Sequence, residues 1–362
     1  MHDIPAAWHA YRTRELAAAA PVLESLGFVL DAEQVHLAGE RSFLSGRKLV
    51  LTGRRSADGR RAVIKVTSDA RGAEEIAREH RAREALHSLD FAYRPFYSPL
   101  EFLYARVEGF RVMATEFIDE ARGFLQHSLN EQFFLALGAF EAQEGVHATT
   151  YAHAHTIRSI FGMYDAPDYL REFEGFRREF EEVSPNADAR EVLAQTSALL
   201  QEHRTEIARY AGFLTHADFV PHNLRIRDGR IYLLDYSSLR FGNKYESWAR
   251  FINYMTLYHP ELEQALMAFV RDNRSTHEYR ALQLMRAYKL GFLVAFYAKN
   301  AAGSSGNAKT LAVRRVAFWT EALRAVLHDR PLAAHVVTDY KADRDLLRTP
   351  EEIERQKALN QL

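Results

Sequence analysis

The chain has 362 residues, of which 47% are hydrophobic and 26% charged, with a formal net charge of −1 and no cysteine. This balance supplies apolar material for substantial cores, sets up no global attraction for nucleic acid or an anionic membrane, and excludes disulfides and thiolate metal sites. No basic stretch followed by an apolar core opens the sequence, and no run approaches the roughly 20 apolar residues that span a bilayer, so the expected setting is cytoplasmic.

Apolar positions Ala6, Trp8, Leu16, Ala19, Val22, Leu23 and Leu26 recur at near-helical spacing and close on Gly27, which predicts a leading helix or helix pair over residues 4–27. From Phe28 to Val66 the period becomes that of strands, with runs at 28–30, 35–37, 48–52 and 61–66 separated by glycine-bearing turns. An antiparallel sheet is predicted. Lys65 interrupts the apolar run Val63-Ile64-Lys65-Val66, and an ammonium there needs a partner unless it marks an exposed edge. Residues 70–89 read as a helix whose acids include Glu75, Glu79 and Glu84. Two further strands, 100–107 and 110–118, flank the turn signal Glu108-Gly109. After Asp119 strand patterns almost vanish, which marks a boundary between a sheet-bearing part and a helical one.

Helical periodicity follows over 129–146, 168–182, 188–211, 245–272, 278–300 and 308–328. His147, His153 and His155 lack metal-site spacing and are read as helix and loop histidines. Tyr245, Trp248, Ile252, Met255 and Tyr258 are read as a packed helix face rather than a cage for a cationic ligand. Gly303-Ser304-Ser305-Gly306 lies in a helix-to-helix loop and lacks the Gly-Lys-Ser/Thr ending of a phosphate cradle. The charged segment from Asp339 is expected to be an exposed or docked tail, with a helix start at Pro350.

One stretch, 214–238, breaks the helical pattern. Asp228-Gly229 is a two-residue turn signal between the short alternating runs 224–226 and 231–234, which predicts a tight hairpin. Centring the turn between those two residues sets Asn223 opposite Leu234 and Asp235 one step beyond. Opposed residues lie roughly 5 Å apart. An amide oxygen and a carboxylate therefore stand side by side at the open end of a ribbon, with Asp218 on the loop leading in. Hard oxygens so placed suit Mg²⁺ held against phosphates.

His216-x-Asp218-x-x-x-x-Asn223 resembles the catalytic loop shared by protein kinases and by the aminoglycoside phosphotransferase and choline kinase group. The small-molecule branch is the nearer one. Its loop typically reads His-Gly-Asp followed by Pro and Asn, then a short hairpin ending in an apolar pair and an Asp, much as Pro221-His222-Asn223 and Leu233-Leu234-Asp235 read here. The resemblance covers about residues 35–330. It implies an α+β, bilobal protein kinase-like fold with a small antiparallel β lobe holding one main helix (1–118), a larger, mostly helical lobe (119–338), and a charged tail (339–362).

The resemblance also implies an enzyme that moves the γ-phosphoryl group of ATP or GTP, with Mg²⁺, to a hydroxyl of a small molecule such as an amino sugar, a choline-like alcohol or a sugar alcohol. Asp218 would accept the proton or orient the hydroxyl, and Asn223 and Asp235 would hold Mg²⁺. Lys65 would steady the α- and β-phosphates and pair with Glu79, with Glu84 and Glu75 as rivals. The Glu116 carbonyl and the Ile118 amide would meet the base. The loop 39–46 would cover the phosphates through Ser42 and Ser45, or else is an ordinary hairpin connection. Glu246 would brace the catalytic loop, although an acid suiting the helix dipole explains it as well. His216 is expected to support the loop by hydrogen bonding, and His222 has no assigned role. Asp119, Glu120, Glu141 and Glu144 either favour an amine-bearing acceptor or are ordinary helix charges. Two other readings stand beside this one: an atypical protein kinase, for which 237–246 is short as a regulated segment, and a non-catalytic nucleotide-binding or interaction module.

Overall fold

The computed structural model describes residues 4–34, 37, 47–88, 96–350 and 353. The loop 39–46, with Ser42 and Ser45, lies outside them, as do two of the three residues of the expected strand at 35–37. Five strands form one antiparallel sheet: β1 (Phe28–Leu30), β2 (Leu49–Arg55), β3 (Arg61–Thr67), β4 (Glu101–Val107) and β5 (Phe110–Glu116), in the order β1-β2-β3-β5-β4. Glu108 and Gly109 have φ of 48° and 83°, the left-handed pair that a two-residue hairpin turn requires. Leu49, Leu51, Ala62, Ile64, Val66, Val112 and Ala114 alternate along the strands and are fully buried. Against them lies α1 (Ile4–Ser25), whose Trp8, Tyr11, Ala19, Val22 and Leu23 complete the same apolar cluster.

Helix α2 (Ala70–His87) starts where Asp69 accepts a hydrogen bond from the Gly72 amide at 2.9 Å. Any side chain at Gly72 would meet the Arg47 carbonyl oxygen at 2.3 Å, so only glycine lets the helix lie this close to the chain entering β2. Ala82 and Ala85 of α2 join a second, larger apolar cluster that the remaining helices build. These are α3 (Leu129–Phe161), α4 (Ala166–Val183), α5 (Ala187–Glu202), α6 (Arg204–Arg209), α7 (Glu246–Tyr258), α8 (Pro260–Asn273), α9 (Thr276–Ala302), α10 (Gly306–Leu327) and α11 (Ala334–Leu347).

The expected helix 245–272 is two helices, because Pro260 has no amide to donate and pushes His259 to an extended φ of −152°. The expected helix 188–211 likewise divides at His203. Residues 334–347, expected in part as a charged tail, form a docked helix: Val337 and Tyr340 are buried, and Tyr340 stacks on Phe318 with ring centroids 4.5 Å apart.

Two small ribbons sit among the helices. β7 (Leu224–Arg227) pairs with β8 (Arg230–Leu233) in the expected register, Leu224 opposite Leu233 and Ile226 opposite Ile231, around Asp228 and Gly229 at φ of 52° and 71°. The second ribbon, β6 (Phe213–His216) with β9 (Leu239–Gly242), was not expected from the sequence.

Candidate active site

Strand β6 ends on His216, which is buried, and the Nε2–H of His216 reaches the carbonyls of Leu234 and Asp235, each at 3.1 Å. Burial lowers the imidazole's affinity for a proton, only partly offset by Asp235 and Asp218. The ring is thus a neutral donor that ties the loop after β6 to the end of the β7–β8 hairpin. One residue past that loop's start stands Asp218, with its carboxylate about half-exposed. Arg250 of α7 donates to Asp218 Oδ1 at 2.9 Å, and Asn223 donates through Nδ2 to the Asp218 carbonyl at 2.8 Å and to Oδ2 at 3.2 Å. Desolvation by the packed surroundings opposes ionisation of this carboxyl even though about half of its side chain is accessible, yet the Arg250 guanidinium holds it below its ordinary range.

Asn223 closes a 3-10 turn (Pro221–Asn223), and its carbonyl accepts from the Leu234 amide at 2.8 Å. The hairpin therefore brings Asn223 beside the residue preceding Asp235. Asp235 itself adopts φ 54° and ψ 57°, a left-handed conformation tolerated by Asp and enriched at functional sites. That bend turns its carboxylate toward the sheet: Oδ1 meets Lys65 Nζ at 3.1 Å and accepts from Ser237 at 2.8 Å. Despite burial, Lys65 and Lys48 hold the carboxyl far below the usual range.

Lys65 lies on β3 opposite Val50 and Met113, and its ammonium also meets Glu79 Oε2 of α2 at 2.5 Å. Burial alone would lower its pKa, but Asp235 and Glu79 raise it to about 12. The rival acids are engaged elsewhere: Glu75 pairs with Lys48 at 3.1 Å, and Glu84 is two-thirds exposed beside His80. Lys65, Glu79 and Asp235 thus form one charged cluster linking sheet, α2 and hairpin, and Asp218 and Asn223 belong to the loop anchored beside it.

At the end of β5 the Glu116 amide donates to the Leu100 carbonyl at 2.7 Å and the Phe117 amide to the Arg61 carbonyl at 3.1 Å. Strand alternation then turns the Glu116 carbonyl and the Ile118 amide to the edge away from β3. The Glu116 carboxylate is taken by Arg227 at 3.0 Å. Of the other acids, Asp119 pairs with Arg61 at 2.5 Å, Glu120 accepts from the Ile226 amide at 3.1 Å, and Glu144 pairs with Lys244 and Arg274 at 3.0 and 3.1 Å. Glu141 is exposed, as is His153.

Glu246, expected to brace the catalytic loop, is fully buried, but it is directed to Arg240 of β9 at 2.6 Å, Tyr169 of α4 at 2.6 Å and Lys289 of α9. Its neighbour Ser247 makes the contact with β6, accepting from the His216 amide at 2.8 Å and bonding Thr215 Oγ1 at 2.6 Å. Ser247 and Arg250 are the two residues that sequence reasoning missed. Neither carries a motif of its own, and their shared signal is only their place one turn apart at the start of α7.

Among the described residues no three His, Cys, Asp or Glu side chains gather around one point as a metal-holding group. Mg²⁺ is usually held by one or two protein oxygens together with phosphates and waters, so the oxygens that bear on such an ion are those of Asn223 and Asp235. Asp235 supplies an ionised carboxylate. The amide of Asn223 has its nitrogen committed to Asp218, which leaves Oδ1 as the atom able to meet a ligand.

A model of the phosphotransferase enzyme family matches residues 43–285, more than half of the chain. A sequence search of curated proteins finds no match. Among solved structures, a thermostable mutant of aminoglycoside phosphotransferase APH(4)-Ia in its apo form is similar with a TM-score of 0.60 at 14% identity, over 85% of this chain and 97% of that one. The GDP complex of aminoglycoside 2'-phosphotransferase-IIIa gives 0.59 at 11% identity, over 86% and 98%. Amicoumacin kinase hAmiN with AMP-PNP, Ca²⁺ and Ami gives 0.57 at 13% identity, over 90% and 97%. At such identities these likenesses establish the bilobal kinase-like fold.

Proposed function

The chain belongs to the phosphotransferase enzyme family, and from that premise we propose that it transfers the γ-phosphoryl group of ATP or GTP to a hydroxyl of a small molecule. The observation that carries this reading is the cluster in which Lys65 lies between Glu79 and Asp235, with Asp218 and Asn223 on the loop tied to the same hairpin. Lys65 would bind the α- and β-phosphates, its geometry set by Glu79. The Glu116 carbonyl and Ile118 amide would receive the base. Asn223 Oδ1 and the Asp235 carboxylate would hold Mg²⁺, which when bound neutralises charge on the phosphate oxygens. Asp218 would orient the acceptor hydroxyl. Its depressed pKa suits orientation and late proton acceptance more than early abstraction.

In the transfer, the acceptor oxygen forms a bond to the γ-phosphorus while the bond from that phosphorus to the β–γ bridging oxygen breaks. The nucleoside diphosphate leaves with the electron pair, and the hydroxyl proton passes to Asp218. Little covalent chemistry is asked of the protein, so a few well-held side chains suffice. The test is ADP or GDP release with Mg²⁺ against amino sugars, choline-like alcohols, sugars, nucleosides and a generic protein substrate. Turnover on a small acceptor that falls about 100-fold or more in Asp218→Ala supports the proposal. Nucleotide binding without turnover on any acceptor would favour a binding module, and turnover confined to the protein substrate an atypical protein kinase.

A further inference from the structure

The strand register lays out the face of the sheet that carries Lys65. At one end Ala62 pairs with Glu116, whose carbonyl would meet the base. Lys65 pairs with Met113 three residues further along β3, roughly 10 Å from that end at the rise of a strand. On β2 the residue opposite Lys65 is Val50, and Lys48 precedes Val50 by two residues, so alternation returns it to the same face roughly 7 Å beyond Lys65. Its neighbour Arg47 is turned the other way, with its guanidinium 5.7 Å from the centre of the Tyr11 ring on α1. The base end, Lys65 and Lys48 therefore follow one another along one face.

Lys48 Nζ meets Glu75 Oε2 at 3.1 Å, as Lys65 meets Glu79. Glu75 and Glu79 stand one turn apart on α2, with Cβ atoms about 5–6 Å apart, so two Lys–Glu pairs run side by side between sheet and helix. The second pair is the more open one: Glu79 is 2% exposed, whereas Lys48 and Glu75 are 16% and 18% exposed. Both lysines act on Asp235 of the hairpin, whose carboxyl, against its burial, is drawn down by Lys65 and then by Lys48. Three carboxylates, of Glu75, Glu79 and Asp235, thus face this strip, and Lys65 is already matched by two of them. A triphosphate brought to the same face needs a further cation. An ammonium has three donors and can hold Glu75 and a phosphate oxygen together.

Resting on the phosphotransferase reading above, we propose that Lys48 is a second phosphate-binding residue: Lys65 holds the α- and β-phosphates of the donor, and Lys48, further from the base, holds the terminal one. Glu75 keeps the Lys48 side chain directed along this face. The charge of Lys48 also faces the phosphoryl group as it moves to the acceptor, so it bears on turnover as well as on binding.

The experiment is calorimetric titration of the full chain, in Mg²⁺, with a non-hydrolysable ATP or GTP analogue and with the matching nucleoside monophosphate. The proteins are the parent, Lys48→Met, Lys48→Arg, Glu75→Gln and the double variant of Lys48→Met with Glu75→Gln. The expected result is a ~10-fold loss of affinity for the triphosphate analogue in Lys48→Met, no change for the monophosphate, and recovery of most of the loss in Lys48→Arg. Glu75→Gln keeps the parent's affinity within ~2-fold, and the double variant, which leaves no carboxylate stranded by the missing lysine, loses as much as Lys48→Met. Equal losses for triphosphate and monophosphate, or a loss in Glu75→Gln as large as that in Lys48→Met, make Lys48 only the counter-ion of Glu75 and overturn the proposal. The proposal and the reading it rests on fail separately. Turnover on a small acceptor with unchanged triphosphate affinity in Lys48→Met leaves the phosphotransferase standing and removes Lys48 from the phosphate site. The expected affinities without turnover on any acceptor uphold Lys48 as a phosphate ligand while the phosphotransferase reading fails. A parent protein that binds no nucleotide overturns both.

Discussion

Lys65 is held by two carboxylates from different elements, so its loss would leave two buried or half-buried negative charges without their cation. Breaking a buried pair from one side costs about 3–5 kcal/mol. Lys65→Met is therefore expected to lower the unfolding free energy by about that amount and to cut turnover by ~100-fold or more, read by denaturant melts and nucleoside diphosphate release. The raised pKa fixes the pH window. Stability from these pairs is fully present below the ordinary lysine pKa and is lost as pH rises through about 12, so melts between pH 6 and 9 should show none of that loss. Arg250 acts on Asp218 in the opposite direction. With Arg250→Gln, burial of the Asp218 carboxyl is no longer opposed by the guanidinium, and its pKa rises. The acid limb of the profile of kcat/KM against pH should move to higher pH, with activity at neutral pH down by ~10-fold. An unmoved acid limb would remove Asp218 from the titrating step.

Helix α7 shows how one short element serves the site, since Glu246, Ser247 and Arg250 of its first turns reach Arg240, β6 and Asp218 respectively. Glu246 is fully buried, and although burial raises its pKa, Arg240 and Lys289 bring it down to about 2. A depressed carboxyl contributes stability that is present above its unfolded pKa near 4.3 and lost as pH falls toward 2. Glu246→Ala should cost about 3–5 kcal/mol at pH 7 and much less at pH 3, which paired melts would show. The elements that carry local signals were legible in the sequence. The hairpin register follows from Asp228-Gly229, and the strand ammonium at Lys65 points to a partner. What was not legible depends on packing between distant elements. Strand β9 has four residues and no turn linking it to β6, and the buried face of α11 is hidden among charges. Arg250 reads as one more helix arginine until α7 is seen against the loop. Glu79 could be told from Glu75 and Glu84 only once the rotation of α2 against β3 was known.

At the scale of the molecule, the sheet-bearing and helical parts meet along the β7–β8 hairpin. Tyr97 exchanges backbone hydrogen bonds with Ile231 and Leu233, Arg227 takes Glu116, and Glu120 accepts from the Ile226 amide with Arg225 at 3.5 Å. The segment leaving β5 is thereby fastened to the ribbon that follows Asn223 and leads to Asp235. Glu120 is the weak point of this contact in charge. Its carboxylate is only 4% exposed, and burial, opposed by Arg225 and the Ile226 amide, raises its pKa to about 7. A carboxyl raised in the folded state favours the folded chain in its protonated form. Stability should therefore fall as pH rises from about 4.3, and level off above about 7, by on the order of 3 kcal/mol. Glu120→Gln keeps an acceptor for the Ile226 amide but removes the titration, so its stability should be flat over that window. Denaturant melts at half-unit intervals from pH 5 to 8 measure both slopes. If the substitution leaves the slope of the parent protein intact, the titrating group lies elsewhere. If it flattens the slope and also shifts the pH dependence of nucleotide affinity, the contact that joins the two parts is coupled to closure on the nucleotide.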